Sequence, residues 1–449
     1  MLRHKNWLLL VAAACFVVIL ASALFSGPGI RTKPSSGTGG EVNEPAPVAG
    51  KAEKQLRMAV SMQSKPFALL QQLKEQYEST HPGVEVVLEN MPEENAYAKL
   101  KKAAQLGEAP DVMLLDNSWV SEFAALGYLQ PVDSLLTGSL QAEQMEQALA
   151  QVKWNGYVWG IPKNLDAYVV VYNAKRLSEW GEKPPNTSDE LLALHKLTHK
   201  PEEGKYGIYL NVTDSRAFVS AARMLGGGKT VSKTAPFELA DPGVQRALES
   251  FLFQPGDPAK EESRTLAKSF PRTSETFKPW DQLAQGKLTG YITTFSEWKQ
   301  NDAPAFAMSA LPLPKGEELW KGPWLSGKSF SISAKSEAGK EAFDLIRELV
   351  STPASLKFWN VGGGLPAQTG IYVSSIKSDP AFKSVAAYID QDDALPSVPQ
   401  RAKQMAALQG QLESLWKGET AFKAFADRTV AEWNAIRPPA SPASATTAK

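Results

Sequence analysis

Residues 155–173 constrain the fold more than any other stretch. Asn155-Gly156 supplies a turn, Gly160-Ile161-Pro162 a break, and Lys163, Asn164 and Asp166 a polar patch. The run Ala167-Tyr168-Val169-Val170-Val171-Tyr172 is apolar and β-branched, which fits a buried strand. Proline fixes φ and removes a ladder donor, so the extended path is expected to be interrupted at Pro162. A chain that leaves one sheet for another does this, and the polar residues past the break are then expected to line the gap between two bodies. Length agrees, because 449 residues exceed what one hydrophobic core holds.

Lysines and arginines balance aspartates and glutamates at 48 each, so no global field would gather nucleic acid. The single cysteine, Cys15, excludes an internal disulfide and a cysteine-based zinc site. Arg3, His4 and Lys5 precede an apolar segment, 7–25, of roughly 19 residues, close to a bilayer span. Export is expected, and three modes stay open. Cys15 follows small residues as the acylated cysteine of a lipoprotein does, although Ala12 stands where a leucine-like residue is usual. An uncleaved helical anchor fits the same segment, and so does cleavage after Ala21-Ser22-Ala23. Residues 26–54 are rich in Gly, Pro, Ser and Thr and read as a flexible linker; 438–449 read as a disordered tail.

From residue 56 strands and helices alternate: strands at 56–62, 83–88 and 111–116, helices at 66–77 and 93–106. That order predicts an α/β fold with a parallel sheet covered by helices. Ligands of such sheets meet the loops at the C-terminal strand ends, here Gln63-Ser64-Lys65 and Asn117-Ser118-Trp119. Farther on, helices are expected at 189–199, 217–225, 242–253 and 338–349, and strands at 206–210, 289–294, 305–311 and 329–333.

Several of these pieces carry a resemblance. Pro82-Gly83-Val84-Glu85-Val86, Gly107-Glu108-Ala109-Pro110-Asp111-Val112 with Asp116 and Trp119, and Gly127-Tyr128-Leu129-Gln130-Pro131-Val132-Asp133 come first. Residues 156–173 and 286–298, Gly363-Gly364-Leu365-Pro366 and Trp416-Lys417-Gly418-Glu419-Thr420-Ala421 follow in the same order. Together they resemble family 1 extracellular solute-binding proteins, the maltose-binding-protein-like receptors of ABC importers, over about residues 55–435. The resemblance implies two α/β lobes joined by hinge crossings, a periplasmic-binding-protein-like fold, with a ligand, usually a carbohydrate, in the interlobe cleft. The sequence departs from the family pattern at Gly290-Tyr291-Ile292-Thr293-Thr294-Phe295-Ser296-Glu297-Trp298 and at Gly322-Pro323-Trp324, which leaves ligand identity open.

On this reading lobe 1 takes residues 55–162 and 315–362, and lobe 2 takes 163–314 and 363–437, so both are discontinuous. Twelve tryptophans are more than ordinary, and Trp119, Trp298, Trp324 and Trp359 fall beside expected cleft loops. The C–H face of a pyranose lies well on an indole while its hydroxyls need polar partners. Gln63, Asp116, Asn117, Lys163, Asn164, Asp166 and Glu297 complete the expected ligand set.

Other chemistry is poorly served. His195 and His199 have helical ligand spacing, but Lys196 replaces the glutamate of a zinc protease and Lys200-Pro201 end the helix, so they read as surface histidines. Gly228-Lys229-Thr230 imitates a phosphate loop, yet Arg223 occupies the position of its leading glycine. No serine elbow or dinucleotide fingerprint is present. Asp166 with Glu297 is the carboxylate pair that a glycosidase on this scaffold would use. The expectation is therefore a monomeric receptor, without metal or cofactor and not an enzyme, that is anchored outside the membrane and delivers a sugar to an ABC permease. A ligand-presenting sensor for a membrane kinase and a binder of a non-sugar solute remain the alternatives.

Overall fold

The computed structural model describes residues 54–136, 138–181, 183–227, 239–253, 266–301, 305–312, 325–389 and 397–436. The apolar segment with Cys15, nearly all of the 26–54 linker, Gly228-Lys229-Thr230, Trp324 and the 438–449 tail lie outside them. Twelve strands are described: β1 Lys54–Val60, β2 Val84–Asn90, β3 Val112–Asp116, β4 Lys153–Trp154, β5 Tyr157–Val158, β6 Ile161–Asp166, β7 Tyr168–Asn173, β8 Tyr206–Leu210, β9 Leu288–Thr294, β10 Phe306–Ala310, β11 Ser326–Ile332 and β12 Leu365–Pro366.

The strands form a six-stranded sheet, β12-β6-β11-β3-β1-β2, a four-stranded sheet, β10-β7-β9-β8, and the small β4-β5 hairpin. Strands β1, β2 and β3 pair in parallel, as their helical crossovers Ser64–Thr80 and Glu93–Leu106 require, whereas β11, β6 and β12 run antiparallel. The sheet is thus mixed rather than parallel throughout. Each large sheet has its own core. One is built on Leu56, Leu114, Phe123 and Phe330, the other on Val170, Tyr172, Phe218 and Phe425. Every residue of β7 is buried, which accounts for its unbroken apolar sequence.

The passage between the sheets differs from the expectation. Pro162 lies inside β6, where it sits opposite Ser329 while Asn164 sits opposite Lys328. The register shifts between them, so the donor that proline lacks falls at a β-bulge. The chain crosses five residues later, through Ala167 alone, which is fully buried and whose carbonyl accepts from the Phe295 amide at 2.8 Å. A boundary after 162 divides one strand, and a boundary after 362 separates β12 from the sheet it belongs to. By sheet membership, lobe 1 keeps all of 161–166 and 365–366. The remaining crossing, between β10 and β11, runs through 313–324, outside the described residues.

Candidate functional site

A cavity of about 660 Å³ lies between the two lobes. Lobe 1 contributes Ser61, Met62 and Gln63 after β1, Asp116 at the end of β3, Lys163, Asn164 and Asp166 of β6, and Ser326, Gly327 and Lys328 at the start of the antiparallel β11. Lobe 2 faces them with Asn211, Thr213, Asp214 and Arg216 after β8, with Tyr168 at the start of β7, and with Thr294, Ser296, Glu297 and Gln300 after β9.

Lys163 is the residue left unpaired by the β6 bulge, and it turns into the cavity although only 6% exposed. Re-aiming a side chain beside a site is a known use of bulges. Its ammonium donates to the Gly363 carbonyl at 3.3 Å and sits 4.2 Å from the Phe358 ring. Burial, reinforced by Lys328 and opposed by Asp166, pushes it down to about 7. Asp166 responds in the opposite sense. Burial raises it to about 6, against hydrogen bonds from the Ser296 hydroxyl, the Ser296 amide at 3.1 Å and the Ala167 amide at 3.0 Å. Lys328 donates to the Ser61 carbonyl at 2.9 Å and lies 3.5 Å from Glu93.

Glu297 accepts from the Trp280 indole at 2.7 Å and from the Thr293 hydroxyl. Asp166 is held by Ser296, so both carboxylates of this pair accept hydrogen bonds from within the protein. Asp116 also lines the cavity with both oxygens engaged. One accepts from the Ser118 amide and hydroxyl at 2.9 and 2.6 Å, capping the helix Asn117–Ala125, and the other pairs with Arg216 at 2.8 Å. Asn164 contributes its amide, 3.4 Å from the Leu165 carbonyl.

Not every expected residue reaches the cavity. Asn117 is buried between Gln151 at 3.0 Å and Ser329 at 2.6 Å, joining its helix to the sheet. Of the expected cleft tryptophans, the three that are described, Trp119, Trp298 and Trp359, do not line the cavity. Trp119 packs on Tyr97 with centroids 5.3 Å apart, at the edge of the lobe 1 core. Trp298 is 7% exposed and packs on Phe295 at 5.5 Å. Trp359 stacks on the same Phe295 at 5.4 Å and donates to Asp379 at 3.2 Å. For Trp298 the cause is helical periodicity: Ser296 and Glu297 in the first turn of the helix Phe295–Gln300 line the cavity, and Trp298 has turned into the core. The histidine pair differs too. His195 and His199 are buried, stacked at 4.6 Å, and their Nδ1 atoms accept from the Ile208 and Gly207 amides. Among the described residues no group of three His, Cys, Asp or Glu could hold a metal.

The lobe 2 wall formed by Asn211, Thr213, Asp214 and Arg216 was not anticipated. It follows β8, a strand parallel to β9, so the strand-end rule used for lobe 1 finds it when applied to the second sheet.

The sequence profile of the bacterial extracellular solute-binding protein family matches residues 72–384. The maltotriose-binding protein of Pyrococcus abyssi is 24% identical over 367 residues, covering 80% of this chain and 76% of that protein. Among solved structures, the GacH receptor of Streptomyces glaucescens, determined unliganded and with acarbose, superposes with a TM-score of 0.71 at 22% identity, over 86% of this chain and 99% of that one. The Thermus thermophilus maltotriose-binding protein superposes with a TM-score of 0.68 at 19% identity, over 85% and 100%. The chain therefore belongs to the bacterial extracellular solute-binding proteins and has their two-lobed, maltose-binding-protein-like fold.

Proposed function

We propose that this protein captures a carbohydrate, of oligosaccharide size, between its lobes and hands it to an ABC permease. The observation that carries the reading is the convergence of polar side chains from both lobes on one cavity. Gln63, Lys163, Asn164 and Asp166 stand on one side, Glu297 and Gln300 on the other. A sugar's hydroxyls both donate and accept, and a cleft offering an ammonium, amides and carboxylates suits them. Names of relatives point the same way, maltotriose in Pyrococcus abyssi and several sugars in Streptococcus mutans. Trp324 is kept as a candidate aromatic contact because Ser326, two residues on, lines the cavity; Trp119, Trp298 and Trp359 are not.

Contact with both lobes makes closure ligand-driven, and the closed shape is what a permease reads. The protein binds without turnover, is exported, and works as a monomer held at the outer membrane face by its N-terminal segment. A thermal-shift screen against mono- and oligosaccharides tests the reading, since a ligand of the native state alone raises the melting temperature. A rise with one class of sugar is expected. Silence across sugars together with a response to amino acids, polyols or peptides would overturn it.

A further inference from the structure

One ion pair bridges the cleft itself. Arg216, in the first turn of the lobe 2 helix Ser215–Ala222, reaches across to lobe 1, where Nη1 lies 2.8 Å from Asp116 Oδ2 and Nη2 donates to Ser118 Oγ at 3.3 Å. Asp116 caps one helix and Asp214 caps the other, accepting from the Arg216 and Ala217 amides at 2.9 and 3.2 Å. Two helix N-termini, one from each lobe, are thus brought together with a charge order of Asp116, Arg216, Asp214 between them. Without the carboxylates, two positive helix ends and a guanidinium would repel across the gap. Tyr168 completes the row by donating to Asp214 at 2.8 Å.

We propose that the Asp116–Arg216 pair is a latch that holds a minor part of the ligand-free population with its lobes together, setting affinity by positioning the lobes and not by touching the solute. Three observations support this. The pair joins elements of different sheets, and among the described residues it is the cleft's charge-to-charge contact between them at hydrogen-bonding distance. Asp116 is almost wholly buried, whereas Arg216 keeps a quarter of its side chain exposed, so the contact can be broken and re-solvated as the lobes part. Its two-pronged geometry, one prong on Asp116 and one on Ser118, fits a guanidinium and not an ammonium. Lys65, donating to the Gln300 carbonyl at 2.8 Å, is a further tie between the same lobes.

The latch is independent of which solute is bound, so its test needs none. Spin labels at the exposed positions Leu126 in lobe 1 and Leu197 in lobe 2, on the full chain with Cys15→Ser, report the interlobe distance by pulsed electron resonance without ligand. The wild type should show a short-distance population. Asp116→Asn, Arg216→Gln and the double variant should lose it to the same degree, by roughly three- to tenfold, and Arg216→Lys should retain it in part. Melting temperatures of the variants separate loss of the latch from loss of the fold, and in the double variant the remaining Asp214 carboxylate is still held by Tyr168 and by the backbone amides of residues 216 and 217. Distance distributions unchanged by both single substitutions, or losses that add in the double variant, would overturn the proposal. With maltotriose as probe, a wild type that keeps the short distance but does not bind would count against the sugar reading and leave the latch standing.

Discussion

Lys163 concentrates the cleft's chemistry. Its ordinary value of 10.5 is pushed down to about 7, so between pH 7 and 10.5 the unfolded chain holds more protons than the native one. Stability then rises with pH across that window, by up to a few kcal/mol, and Lys163→Met should remove the slope in denaturant titrations while weakening sugar binding at least tenfold. Asp166 carries the opposite sign. Its native carboxyl, raised from 3.8 to about 6, keeps its proton longer, so stability is lost as pH rises between those values and is flat above them. The polar members of the site were legible because they punctuate strand ends. Trp119, Trp298 and Trp359 stand away from the cavity because an indole is as good a core residue as a sugar platform, and tertiary packing decides which. Trp298→Ala should therefore cost about 3–5 kcal/mol in unfolding experiments, the range for large buried rings, while surviving folded protein keeps its affinity.

At the level of elements, most strands and helices follow from periodicity alone: Glu93–Leu106 and Tyr206–Leu210 fall where their patterns place them. The antiparallel half of the six-stranded sheet was not legible, since pairing of β6 with β11, far apart in the chain, is a tertiary choice. That pairing brings Gly327 so close to β6 that a Cβ would lie 2.4 Å from the Asn164 carbonyl oxygen and 2.6 Å from the Asn117 amide. Gly327→Ala should cost roughly 1–3 kcal/mol by overpacking and disturb the cleft floor with it, measurable as a lower melting temperature and weaker binding. Burial of the histidine helix depended equally on a distant glycine. Gly207 leaves the room that its own Cβ would take, 2.6 Å from the His195 carbonyl oxygen. Burial holds His199 near 4, below its ordinary 6.5, and His195 well below the same value. Between about 4 and 6.5 the unfolded chain binds more protons, so stability falls as pH falls through that window. Wild type should lose up to about 2 kcal/mol from His199 between pH 7 and 5, and His199→Asn should lose less.

For the whole molecule, the two-lobed plan was readable from the order of motifs over residues 55–435, and the expected border after 162 falls inside β6 because proline reads as a strand end. The far wall of the cleft was missed because its residues, Asn211 to Arg216, belong to no motif and become a wall only when the second sheet turns its strand ends toward the first. The central claim is that a sugar is held between lobes that close on it. Small-angle scattering of the purified chain, with and without a saturating oligosaccharide that raises its melting temperature, tests this most directly. The account predicts a smaller radius of gyration with the sugar and no such change in Lys163→Met at the same concentration. Sugar binding that leaves the radius of the wild type unaltered would contradict it.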